Sequence, residues 1–314
     1  MTGGAGFIGS NFVDKFLLDN NTVHVLDNLS AGNPRYIENW KKFENFKFLK
    51  MDLLEKKMLD SLDYYDLIFH AAADPEVRPT ISNPNTHFNQ NILATFNLLE
   101  AFKEKPPENF VFMSTSTVYG DATIPTPENY APMEPISSYG ASKLACESLL
   151  SSYAHSYGFK VTIFRLANII GEQSTHGVIF DFIKKLTKHP NSLEILGDGM
   201  QKKSYLYISD CFDAFQFGLA HSSNSYQIFN VGSSDRVDVK TIAKVVIEEM
   251  SLGDVKITFT GGVDGGRGWK GDVKNMLLDI TKLKTSGWKP KYNSLEAVKL
   301  TTNKMISNYQ KVID

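Results

Sequence analysis

The chain has 314 residues, enough for one large domain or two modest ones sharing a core. Apolar residues make up 42% and charged residues 22%, and a net charge of −2 leaves no basic field to invite nucleic acid. Two cysteines, far apart and without metal-ligand neighbours, argue against a disulfide framework or a metal site. No run of about 18 apolar residues is long enough to span a membrane. The first residues carry neither a basic nor an apolar leader stretch, so the expected setting is the cytoplasm.

Along the chain, short apolar runs alternate with longer amphipathic stretches, the pattern of repeated βαβ units. Thr2-Gly3-Gly4-Ala5-Gly6-Phe7-Ile8-Gly9 spaces glycines at Gly3, Gly6 and Gly9. Glycine there permits a tight turn, then close approach of backbone to a pyrophosphate, then close helix–strand packing. A plain turn has the same spacing, and context favours phosphate. A helix over Ser10–Asp19 aims its positive dipole end at the turn. The strand Thr22–Leu26 then leads into Asp27, about 20 residues downstream of the turn. An acid there accepts hydrogen bonds from a ribose diol and repels a 2′-phosphate, and Asn28 rather than Arg follows it. NAD is therefore expected rather than NADP. A phosphate turn normally follows a buried strand, yet only Met1 and Thr2 precede Gly3. The expectation is that the working protein has roughly four or five further apolar residues upstream.

The runs Lys47–Met51, Leu67–His70, Phe110–Ser114 and Val161–Leu166 read as further buried parallel strands. Asp52 stands where an adenine edge would lie, or simply caps a loop. His70 reads as structural, and Ala71-Ala72-Ala73 after it let a cofactor lie against backbone. The stretch His87–Phe102 reads as a helix with Phe88, Ile92, Phe96 and Leu99 in one core-facing stripe. Ser114-Thr115-Ser116-Thr117 makes a hydroxyl-rich strand end.

In the next helix, Tyr139–Tyr157, Tyr139 and Lys143 lie four residues apart, one above the other on a face. A phenol titrates near 10, so a tyrosine base near neutrality needs its anion stabilised, which Lys143 and a positive nicotinamide can do. Alone this spacing reads as a surface pair; behind a dinucleotide turn and a hydroxyl-rich strand end it is specific. After Gly171 the elements shorten, broken by Gly197-Asp198-Gly199 and by the glycines of 261–271. The expected fold is α/β: a Rossmann-type doubly wound parallel sheet with a smaller α/β C-terminal substrate lobe. Residues 1–168, with a contribution from about 206–232, would form the NAD-binding domain; 169–205 and 233–314 would form the lobe.

The turn at Thr2–Gly9, Asp27-Asn28-Leu29-Ser30, Ser114 to Gly120, Tyr139 to Lys143 and Arg165-Leu166-Ala167-Asn168 together carry a resemblance. So do Gly197 to Tyr205 and Gly271-Asp272-Val273. Through nearly its whole length the chain resembles the extended short-chain dehydrogenase/reductase family, and within it the UDP-galactose (UDP-glucose) 4-epimerases, particularly archaeal members. The resemblance implies Tyr139, Lys143 and Thr115 as the catalytic group. It implies an NAD site of Gly3, Gly6, Phe7, Ile8, Gly9, Asp27, Asn28, Ser30, Gly32, Asp52, Leu53, Ala71, Ala72, Ala73 and Asn91, completed by Tyr139 and Lys143. Thr115, Ser116, Asn168, Val178, Lys203, Tyr205, Arg267 and Asp272 would meet the nucleotide sugar.

Relatives that eliminate water resemble this chain but place an Asp-Glu pair before Val-Tyr-Gly, and the decarboxylases generally keep a Glu. Here Ser116-Thr117 precede Val118-Tyr119-Gly120 and cannot do carboxylate work. Epimerisation at C4 of a UDP-hexose is the expected activity. An epimerase of UDP-N-acetylhexosamines or UDP-uronates, or a non-catalytic NAD-sensing protein, stays open.

The chain also departs from the pattern. Asp74-Pro75 stands where many bacterial members have a lysine, and Lys203 where relatives have arginine. Met276 seats a flexible side chain in place of a tyrosine, which leaves room for an N-acetyl group. A homodimer through the two long helices is expected from the family, although their apolar faces can equally pack inward.

Overall fold

The apolar runs assemble into one parallel sheet in the computed structural model, which describes residues 1–78, 83–222 and 224–313. Val23–Asp27 pairs with Phe46–Lys50, while Leu67–His70, Asn109–Thr115, Val161–Leu166 and Tyr226–Val231 form a second parallel run. Thr2 joins the two halves through parallel bridges to Leu26 on one side and His70 on the other. Its amide donates to the Phe69 carbonyl at 3.0 Å, and the Gly3 amide to the Leu26 carbonyl at 2.9 Å. The expected strand bounds hold to within one residue; the strand Tyr226–Val231 lacks a distinct sequence signal of its own.

Alternation along the central strand shows why the sheet is covered on both faces. Val111 and Met113 pack with Phe12, Phe69, Phe164 and Phe215, whereas Phe110 and Phe112 pack with Leu98, Leu99 and Leu150. Phe110, Val111 and Phe112 are all fully buried. Truncating a phenylalanine so placed costs about 3–5 kcal/mol. This is the doubly wound arrangement that the sequence predicts.

One helix departs from its predicted face. The stripe Phe88, Ile92, Phe96 and Leu99 does not turn inward as a unit: Phe88 is 56% exposed while Leu99 is fully buried. The cause is a π-helical stretch at Phe88–Leu93 between Pro84–His87 and Ala94–Phe102. The wider turn rotates the helix on its N-terminal side relative to the helix on its C-terminal side, so a 3.6-residue spacing misassigns the face. The buried side is instead Asn91, Ala94, Thr95, Leu98, Leu99 and Phe102.

After the sheet the chain builds short pairs: Asn168–Ile170 beside Tyr205–Tyr207, and Ser192–Ile195 beside Lys256–Phe259. Lys202–Lys203 lies between Val237–Asp238 and Asn275–Met276. Helices Val178–Lys188, Val239–Glu249 and Ser294–Ile313 close over a separate core of Ile183, Leu186, Leu193, Ile242, Val246 and Val298. Among the described residues no helix is long and apolar enough to cross a membrane.

Candidate active site

The helix Ser138–Tyr157 presents Tyr139 and Lys143 at the C-terminal end of the central strand. Ser137 caps it, its hydroxyl accepting from the Gly140 amide at 3.1 Å. Lys143 is only 2% exposed, with its ammonium 4.0 Å from the centre of the Phe112 ring. Burial brings that ammonium down to about 8, against the opposing pull of Cys146 and Glu147.

The Tyr139 phenol shifts the other way. Burial pushes it up to about 12; the neighbouring Thr115 hydroxyl pulls it down, while Cys146 and Asp74 add to the rise. The protein side chains around it thus favour the protonated phenol, and the positive nicotinamide of the sequence reading is the further group that would favour the anion. The first cause is burial of the phenol.

The hydroxyl-rich strand end divides its labour. Ser114 turns inward and donates to the buried Glu147 carboxylate at 2.5 Å. Thr115 is turned to Tyr139 and also caps the turn Ser116–Tyr119, accepting from the Thr117 amide at 3.2 Å. Ser116 borders a small hollow with Gly120, Val273 and Met276.

A dinucleotide fits the N-terminal turn. Gly3 has φ +66°, and a Cβ there would stand 2.6 Å from the Ala72 nitrogen; one at Gly9 would stand 2.2 Å from the Gly3 carbonyl. The helix Phe7–Leu18 has neither a capping side chain nor an acid in its first turn, which leaves its first amides for phosphate oxygens. Gly6, Phe7 and Ile8 are partly exposed around it. Asp27 is buried, with its carboxylate held by the Ala5 amide at 3.0 Å and the Leu29 amide at 2.8 Å. Each oxygen keeps a further lone pair for a ribose hydroxyl. Gly32 presses against Asp27, Asn28 donates to Asp52 at 3.0 Å, and the Ser30 amide donates to Asn28. The Asp52 carboxylate also caps its own loop at the Leu54 amide, as its loop-cap reading expects.

Leu53 is buried and Ala71, Ala72 and Ala73 are half-buried along the same edge. His70 is structural as expected: its ring links Thr2 at 2.6 Å to Thr95 at 2.9 Å. Burial, with Lys143 and the chain's amino terminus adding to it, pushes the imidazole down to about 3. Asn91 sits beside the site, but its amide serves the protein. It accepts from the Asp74 amide at 2.7 Å and donates to Ser142 at 2.8 Å, tying the 71–76 loop to the Tyr139 helix.

On the lobe side, Asn168 and Tyr205 face each other across a strand pair, and Val178 begins the helix after Gly177. Tyr205 is buried, which raises its phenol, as does nearby Asp272. Lys203 pairs with Asp272 at 2.6 Å, and Arg267 with Asp121 at 2.7 Å. Both candidate phosphate cations therefore already have carboxylate partners, which residue type alone does not reveal.

Sequence reading also misses Glu147 and His87 as neighbours of the site, and marks Asp74 only as a departure from the bacterial pattern. Glu147 has a local signal, one turn beyond Lys143, while nothing in Asn85-Thr86-His87-Phe88 marks a buried histidine.

Residues 1–232 match the NAD dependent epimerase/dehydratase family. A crystal structure of a UDP-galactose 4-epimerase is 40% identical with a TM-score of 0.86, and each chain is covered to 98%. A UDP-glucose 4-epimerase from Thermotoga maritima, solved with UDP-glucose, is 30% identical with a TM-score of 0.85, covering 100% of this chain and 98% of that one. A UDP-glucuronate 4-epimerase from Thermodesulfobacterium geofontis is 30% identical, over 96% of this chain and 94% of that protein. The turn, the Asp27 cradle and the Tyr139–Lys143 pair thus stand in a chain that belongs to the NAD dependent epimerase/dehydratase family, an NAD enzyme whose full-length relatives include nucleotide-sugar 4-epimerases.

Proposed function

We propose that this enzyme inverts C4 of a UDP-hexose, interconverting UDP-glucose and UDP-galactose through a 4-keto sugar. The observation that carries the reading is the Tyr139 phenol set beside Thr115 at a strand end whose next residues, Ser116 and Thr117, offer no carboxylate. Without an acid and base pair there, water elimination has no general catalyst, and the proton traffic of epimerisation needs Tyr139 alone.

Gly3 to Gly9 and the first amides of their helix hold the pyrophosphate, Asp27 takes the ribose diol, and Asp52 with Leu53 borders the adenine. Ala71 to Ala73 let the cofactor lie close, and Lys143 with Tyr139 meets its nicotinamide end. When bound, NAD supplies a reversible hydride acceptor and a positive ring that favours the tyrosinate. Tyr139 takes the proton from the sugar 4-hydroxyl and later returns it, while Thr115 holds that oxygen. Lys203 and Arg267 anchor the diphosphate, kept in place by Asp272 and Asp121. Asn168, Val178 and Tyr205 line the sugar's side, and the hexose turns about its anchored end to offer its other face.

The NAD-binding part is residues 1–168 with about 206–232, and the remainder is the substrate lobe. A homodimer through the two long helices fits exposed Phe88 and Tyr157, at 56% and 45%. The test is incubation of purified protein with UDP-galactose and no added reductant. Accumulation of UDP-glucose supports the reading, and conversion of UDP-glucuronate alone would overturn it.

A further inference from the structure

Asp74 and Tyr139 flank one buried imidazole. The His87 ring centre lies 6.0 Å from that of Tyr139, and its Nε2 lies 3.8 Å from an Asp74 carboxylate oxygen. His87 is 1% exposed, its Nδ1 pairs with the Ser138 hydroxyl at 2.9 Å, and its Nε2 has no hydrogen-bond partner among the described residues. Asp74 is held firmly by its backbone: its amide and carbonyl both bond the Asn91 side chain, at 2.7 and 3.2 Å. Its side chain is 24% exposed, and its charge reaches Tyr139, whose phenol it helps to raise.

Among the described residues no lysine or arginine pairs with the Asp74 carboxylate, which meets the His87 ring and accepts the Glu76 amide. Arg78, the cation on the same loop, is gripped by Glu76 at 2.9 Å, and Asp181 of the facing helix is 3.9 Å away. Asp74, Glu76 and Asp181 thus set three carboxylates against one guanidinium along this wall.

Resting on the 4-epimerase reading, we infer that Asp74 is a specificity-determining residue that admits neutral hexoses and excludes uronates. In a hexose, C4 is flanked by C3, which bears a hydroxyl, and by C5, which bears C6. Inverting C4 with one base and one hydride carrier requires the ring to turn over, so the C3 and C5 sides exchange places. A group beside Tyr139 therefore meets C6 in one of the two orientations. With a neutral sugar it accepts a hydrogen bond from the 3-hydroxyl in one and the 6-hydroxyl in the other. With a uronate the C6 carboxylate must approach Asp74 in one of them, a like-charge contact that disfavours that half of the cycle.

The test measures kcat and KM for UDP-galactose and UDP-galacturonate with the wild type, Asp74→Asn and Asp74→Ser. Asn keeps the oxygen that accepts the Glu76 amide at 3.1 Å, so the loop survives the change. The expected wild type favours UDP-galactose by roughly a hundredfold or more in kcat/KM, and both variants narrow that ratio by roughly tenfold or more, chiefly through KM for the uronate. An unchanged ratio in both variants, or a wild type that prefers the uronate, overturns the role of Asp74. A wild type inert toward both sugars overturns the epimerase reading and this inference with it.

Discussion

Glu147 stands one helical turn beyond Lys143 and grips Arg165 of the neighbouring strand, with a shortest contact of 2.6 Å and both side chains nearly fully buried. Arg165 continues to the Tyr119 hydroxyl at 2.8 Å, and Tyr119 donates to Asn230 at 2.8 Å. The Tyr139 helix is thereby fastened to Val161–Leu166 by charge and, through Tyr119, to Tyr226–Val231 by hydrogen bonds. Removing one partner leaves a buried charge alone, so Glu147→Leu should cost about 3–5 kcal/mol, and Glu147→Leu with Arg165→Met should recover much of it. Urea denaturation of the two singles and the double measures this. Additive losses would show that the two side chains do not act as one energetic unit.

Tyr139→Phe should lower turnover at least about a hundredfold, the usual scale of general acid–base catalysis, with NAD still bound. Near-normal turnover of the purified variant would remove Tyr139 from the chemistry.

Lys143 provides a pH test. Its folded value near 8 lies below the ordinary 10.5, so the unfolded chain binds more protons between the two. Stability therefore rises with pH across that window, by up to about 1.4 kcal/mol per unit. Wild type compared with Lys143→Met by denaturation at pH 8 and 10 isolates this difference. Equal slopes in the two proteins would contradict it.

His70 has the same sign in a more acidic window. Held near 3 instead of 6.5, it stays neutral in the folded protein while the unfolded chain takes up a proton. Stability is then lost as pH falls through that window, by about 1.4 kcal/mol per unit at most. A His70→Gln variant should show a shallower acid slope than wild type between pH 6 and about 4.

Product mass checks the absence of carboxylates at Ser116 and Thr117. The nucleotide sugar should leave with its mass unchanged, because inversion loses no atoms; a product lighter by one water would indicate elimination.

Much of this molecule is legible from local pattern. The glycine turn, Asp27, the alternating apolar strands and the Tyr139–Lys143 spacing are short-range features, fixed by backbone sterics and by the 2.0 and 3.6 residue periods. The face of the Pro84–Phe102 region is not, because its π-helical stretch shifts the phase that periodicity reads. Nor is the state of the charges. Asp121 lies 146 residues from Arg267, and Asp272 lies 69 from Lys203, so no local spacing announces either pair. Lys143 and Tyr139 are named by their spacing, but their opposite shifts come from burial among Phe112, Thr115 and Asp74, brought together by the fold. Sequence alone determined the family and the candidate base. Tertiary structure decided which cations are already matched and which carboxylate, Asp74, acts on Tyr139, because desolvation and Coulomb interaction depend on distance in space rather than along the chain.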